Sequence, residues 1–250
     1  MAEIKSTAVQ GGFGRTQRRD AWWVENLPVW ILLGGFGIYA TLRAFENGLY
    51  DCLKSPAHRP YLSPFYSPLL NVSFWHWSPA LLILAFPLGF RMTCYYYRKA
   101  YYRAFFADPP GCAVGEPSWR KKYRGETKFP FILQNLHRYF LYFAIIFLVF
   151  LWKDTFEAFW LDGHFFVGVG SLVFLINIVL LSLYLLSCHS LRHLIGGKLD
   201  CFSCTAANKS RHGAWKTASS LNARHMLFAW CSLVSVGFAD FYVRMVATGL

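Results

Sequence analysis

The residues best placed to do chemistry lie in one short stretch, Cys188-His189-Ser190-Leu191-Arg192-His193, followed by Gly196-Gly197 and then Cys201-Phe202-Ser203-Cys204. Histidines four apart share one face of a helix, which turns once every 3.6 residues. Cysteines separated by two residues form a compact thiolate pair. The two glycines allow the chain to fold back between them. His189, His193, Cys201 and Cys204 therefore read as a metal constellation. Three chemistries suit these donors. Two imidazoles and two thiolates complete a tetrahedral zinc shell. They also match a Rieske-type [2Fe–2S] centre, with imidazoles on one iron and thiolates on the other. A haem b held between histidines of facing helices fits less well, because the early apolar runs contain no interior histidine. Spare donors stay open: Cys188 could stand in for a loop cysteine, and His212 or His225 for a helix histidine.

Membrane spans must position these groups. The chain has 250 residues, 55% of them hydrophobic and only 15% charged. A soluble domain of this length carries roughly 25% charge. The apolar excess falls in separate runs near the 20 residues that cross a bilayer. The expected fold is an all-α membrane protein, a bundle of five transmembrane helices at about 27–44, 79–97, 132–152, 165–190 and 221–243. Residues 1–26 read as a polar tail and an interfacial segment with Trp22 and Trp23, and 27–250 as the membrane domain. The tail lacks the apolar core of a cleaved signal peptide.

Charge orients the bundle. The tail, the 98–130 loop and the 192–217 segment carry 4, 8 and 5 Lys/Arg, against 2 and 1 in the 46–78 and 153–163 loops. Basic loops stay in the cytoplasm. The N-terminus is then inside, the C-terminus outside, and the metal motif cytoplasmic. The net charge of +12 follows this loop-by-loop division, which argues for topology and against nucleic acid. His137 and His225 lie at the same end, where capping or interfacial hydrogen bonding would also account for them. Arg91 is the deepest charge, and such residues are costly in lipid unless partnered. The row Tyr95, Tyr96, Tyr97, Tyr101 and Tyr102 reads as an interfacial belt.

Five spans with an inside N-terminus, together with the Cys188–Gly197 segment and the Cys-x2-Cys that follows, resemble the membrane subunit of the actinobacterial, haem-lacking class of succinate dehydrogenase. The resemblance covers nearly the whole chain. It implies a plasma-membrane subunit that works with a flavoprotein subunit and an iron–sulfur subunit on the cytoplasmic side. It also implies a Rieske-type [2Fe–2S] cluster and a quinone substrate, ubiquinone or menaquinone. Carried onto this sequence, the implied ligands are His189, His193, Cys201 and Cys204. Charge, depth and side make Arg91, Tyr96, His137 and His225 the candidate quinone contacts. On this reading, His189→Ala with His193→Ala abolishes quinone reduction while succinate oxidation by a dye persists. A haem b-type anchor and a non-redox anchor with structural zinc are the alternatives.

Overall fold

The computed structural model describes residues 21, 23–106, 108, 127–129 and 131–249. The polar tail, Trp22 and most of the basic 98–130 loop lie outside these residues. Among the described residues, four helices are long and apolar enough to cross a membrane: α1 (Leu27–Phe45), α5 (His137–Glu157, entered through a 3-10 turn at Phe131–Leu136), α6 (Val169–Leu186) and α9 (His225–Ala247). Their outer faces expose apolar side chains such as Ile38, Val149 and Val169, as lipid contact requires.

The expected second span is built differently. It is divided into α2 (Ala80–Ile83), α3 (Ala85–Thr93) and α4 (Tyr95–Phe106). Pro87 has no N–H to offer the Ile83 carbonyl, which loosens the join of α2 and α3 at Leu84. At Cys94 the backbone turns to an extended conformation (φ −64°, ψ 129°), and the chain restarts as α4. Residues 80–93 span only about 21 Å at 1.5 Å per residue, short of the ~30 Å hydrocarbon core.

The fourth expected span is also interrupted. Its first residue, Phe165, belongs with His164 to a hairpin. Strand β1 (Trp160–Leu161) pairs antiparallel with β2 (His164–Phe165) across Asp162-Gly163, both at positive φ, the turn chemistry that favours Asp-Gly. At the far end α6 stops at Leu186. Cys188 adopts the same extended conformation as Cys94 (φ −64°, ψ 133°), and α7 (His189–Gly196) begins. A further helix, α8 (Ala206–Asn222), begins within the polar 196–217 stretch and runs past it, opened by a Thr205 hydroxyl that accepts from the Asn208 N–H at 3.1 Å. This helix packs along α7, with Trp215 filling the space beside Gly196.

Helix α9 packs along α6, and α3 along α5. Gly89 permits the second contact, since a Cβ there would run into the Phe140 ring. Residues 46–78 fold over the opposite end of the bundle. Their Tyr61, Phe65 and Tyr66 are buried, and they are pinned by Asp240 of α9. That fully buried carboxylate accepts from Ser63, from Tyr39 at 2.6 Å and from Arg244 Nε at 2.9 Å. Arg244 also reaches Glu46 at 2.8 Å.

Candidate functional site

The two backbone breaks face each other across the bundle, and each follows a hydroxyl residue: Thr93-Cys94 and Ser187-Cys188. Between them lie the first residues of α5 and α9, His137 and His225. The contacts are crossed. His137 presents Nδ1 to Thr93 Oγ1 at 2.9 Å and Nε2 to the Cys188 sulfur at 3.4 Å. His225 presents Nδ1 to Ser187 Oγ at 2.7 Å and Nε2 to the Cys94 sulfur at 3.5 Å. Each hydroxyl–cysteine step thus touches both histidines, one through oxygen and the other through sulfur.

The hydroxyl protons fix the tautomers. Thr93 donates to the Gly89 carbonyl at 2.7 Å, and Ser187 to the Tyr184 carbonyl at 2.9 Å. A hydroxyl has one proton, so each can only accept from its histidine. Assigned from this network, both imidazoles carry the proton on Nδ1 and turn a bare Nε2 lone pair toward sulfur. Ring packing holds these orientations. His137 stacks on Phe90 at 4.7 Å and 9°, and His225 on Tyr184 at 5.1 Å and 26°.

The sulfurs sit at helix starts. The carbonyl of Cys94 accepts from Arg98 N at 2.9 Å, and that of Cys188 from Arg192 N at 3.0 Å, the first bonds of α4 and α7. The N–H groups of Ser190 and Leu191 are directed at the Cys188 sulfur. Backbone donors at a helix N-terminus favour negative charge and lower the cost of a thiolate. Cys94, Cys188 and His225 are each at most 2% exposed. A cavity of about 160 Å3 runs along the group and is also lined by Tyr96, Gln134 and His189.

The residues expected from local spacing are arranged otherwise. His189 and His193 share a face of α7 with ring centroids 5.3 Å apart, and both are exposed. Cys201 and Cys204 are joined to one another as a disulfide. Their turn is tied to α8 rather than folded back over α7: Asn208 Nδ2 donates to the Cys201 carbonyl at 2.9 Å, and Phe202 stacks on His212 at 4.5 Å. The structure therefore does not bring His189, His193, Cys201 and Cys204 together. Among the described residues, no three or more His, Cys, Asp or Glu side chains close around one metal-sized point.

Of the other candidates, Tyr96 packs its ring 5.1 Å from that of His225. Arg91 donates to Tyr97 Oη at 2.7 Å, Ser232 Oγ at 3.2 Å and the Ala229 carbonyl at 3.3 Å. Its guanidinium also borders a second cavity of about 430 Å3, almost wholly apolar, between α1, α3 and α5. Cys94 is the member of this buried group that local spacing did not single out. The signal was a hydroxyl residue followed by cysteine near the end of the second and fourth apolar runs, Thr93-Cys94 and Ser187-Cys188.

Residues 24–249 match the family model of actinobacterial succinate dehydrogenase subunit SdhC. The chain belongs to that family. It is similar to a chain of the solved Mycobacterium smegmatis Sdh1 complex in the apo form. Identity is 41%, the match covers 96% of this chain and 94% of that one, and the TM-score is 0.80. No curated protein matches. As an SdhC subunit the chain is a multi-pass plasma-membrane component of succinate dehydrogenase. The apolar faces of α1, α5, α6 and α9 are its lipid contact.

Proposed function

We propose that this subunit passes electrons from a succinate-oxidising flavoprotein and its iron–sulfur partner to a quinone, and that Cys94, His137, Cys188 and His225 hold a Rieske-type [2Fe–2S] group in place of the His189, His193, Cys201 and Cys204 set. The observation that carries this reading is the gathering of two buried thiols and two imidazoles, with each Nε2 lone pair turned onto a cysteine sulfur. Two thiols and two imidazoles match in number and kind the donors of such a two-iron group. Helix-start N–H groups on sulfur, and hydroxyls on the outer imidazole nitrogens, are the supports that such ligands use. When bound, a cluster of this type supplies one-electron transfer at a potential raised by its imidazoles.

Four separate helix ends supply the donors: the end of α3, the start of α5, the end of α6 and the start of α9. They meet on one side only if the chain crosses the membrane between them. With residues 46–78 over the opposite end, this supports counting α2 and α3 as a fifth crossing, with the N-terminus inside and the C-terminus outside. The same side carries Arg98, Lys99 and Arg103 on α4 and Lys209, Arg211 and Lys216 on α8, a basic surface for the soluble partners. Arg91 borders the 430 Å3 apolar cavity, which has the lining and size for a quinone ring and the start of its isoprenoid tail. Its guanidinium is positioned to donate to a quinone carbonyl, and Tyr96 lines the separate 160 Å3 cavity beside the four donors.

The test compares Cys94→Ser and Cys188→Ser with the paired Cys201→Ser and Cys204→Ser change, each in the intact complex. The first two are expected to lose iron and acid-labile sulfide from the membrane subunit and to lose quinone reduction, while succinate oxidation by a dye continues. The paired change keeps all three. The opposite pattern returns the site to the loop cysteines, and zinc without sulfide makes the subunit a structural anchor.

A further inference from the structure

The side chain of Tyr184 stands out beside the four donors. It lies one helical turn before Cys188 and is 3% exposed. Its hydroxyl is buried without a hydrogen-bond partner. Neighbouring tyrosines are satisfied: Tyr97 donates to the Ala229 carbonyl, and Tyr101 to the Met92 carbonyl at 2.8 Å. An unpaired hydroxyl in a packed core is unfavourable and calls for an explanation.

Its surroundings supply one. The Tyr184 ring stacks on His225 and meets the edges of Phe90 and Tyr97 at 5.5 and 6.1 Å. The Arg91 guanidinium carbon lies 4.8 Å from its centroid. These contacts hold the ring in one orientation, with the hydroxyl facing the Cys94 side chain. A thiol sulfur is a weak acceptor, so the hydroxyl gains little from it. A metal-bound thiolate is a far better acceptor. The cation over the ring draws electron density from it and makes the phenol a stronger donor.

We propose that Tyr184 donates its hydroxyl proton to the metal-bound sulfur of Cys94 and thereby raises the reduction potential of the group held there. This rests on the ligand set proposed above. A hydrogen bond to a ligand sulfur favours the more negative, reduced state, so its removal lowers the potential. Tyr184 acts through Cys94 and is a positioning residue.

Tyr184→Phe keeps the ring, the stack on His225 and the contact with Arg91, and deletes only the donor. The complex carrying it is assayed for iron and acid-labile sulfide and titrated potentiometrically with EPR detection. The expected result is wild-type iron and sulfide content, a lower midpoint potential for the imidazole-ligated signal and unchanged potentials for the partner's clusters. Tyr101→Phe, which removes a hydroxyl already engaged by a carbonyl, leaves the potential unmoved. An unshifted potential in Tyr184→Phe overturns the proposal, as does an equal shift in Tyr101→Phe or loss of iron from Tyr184→Phe. Absence of iron and sulfide from the wild-type subunit instead sinks the ligand set itself.

Discussion

Removing the hydroxyls of Thr93 and Ser187 tests the crossed arrangement without touching a donor. Thr93→Val is close to isosteric, and Ser187→Ala removes one oxygen from a fully buried position. Either change leaves one histidine Nδ1–H without its acceptor, at 2.9 Å in the first case and 2.7 Å in the second. An unmet buried donor costs about 1–3 kcal/mol. Outer partners of metal-bound imidazoles are worth roughly 10- to 100-fold in affinity, which is about 1.4–2.7 kcal/mol. The two estimates agree. Because Thr93 serves His137 and Ser187 serves His225, the two losses should roughly add in the double variant. The assay is the rate at which a ferrous chelator strips iron from the purified complex. Thr93→Ser restores the hydroxyl and should return the rate toward wild type. A Thr93→Val complex that keeps its iron as firmly as wild type, or a Thr93→Ser complex that loses it as fast as Thr93→Val, would refute the second-layer role of the hydroxyls.

Three further outcomes are expected. His189→Ala combined with His193→Ala should leave iron content and quinone reduction within about twofold of wild type, because both rings are exposed on α7; steady-state kinetics with a quinone checks this. Asp240→Ala removes the shared acceptor of Ser63, Tyr39 and Arg244. Breaking a buried ion pair costs about 3–5 kcal/mol, and Glu46 keeps part of the Arg244 charge paired, so about 3 kcal/mol is expected; thermal unfolding in detergent measures it. The Cys52 thiol is pushed up to about 12 by burial, with the nearby Asp51 carboxylate adding to the shift. It therefore stays protonated throughout the physiological range, and iodoacetamide should leave it unlabelled at pH 8 in the folded subunit, which peptide mass spectrometry reports.

Hydropathy made α1, α5, α6 and α9 legible, because a lipid-facing helix must be apolar over its whole length. It failed where packing rather than composition decides. The break at Leu84 depends on one missing N–H, that of Pro87. Helix α8 has no apolar stripe to announce it and is held by Arg211, which binds the Ile195 and Gly197 carbonyls at the end of α7. The members of the buried Cys/His group were legible singly and not as a set. His137 and His225 could be placed at the right end of the bundle, and Cys188 stood as a replacement ligand. The pairs are 51 and 131 residues apart in the chain, and only the packing of α3, α5, α6 and α9 unites them. The compact His-x3-His and Cys-x2-Cys spacings drew attention because they are local. Cys94 was hidden among tyrosines that read as a headgroup belt.

The crossed steps also dictate an order of events. His225 opens α9, so on the proposed ligand set a growing chain has no complete nest for an inorganic guest until α9 has emerged and docked against α6. Insertion therefore waits for a nearly finished bundle. On that ligand set the chamber is built first and furnished afterwards, unlike a zinc finger, which folds around its ion.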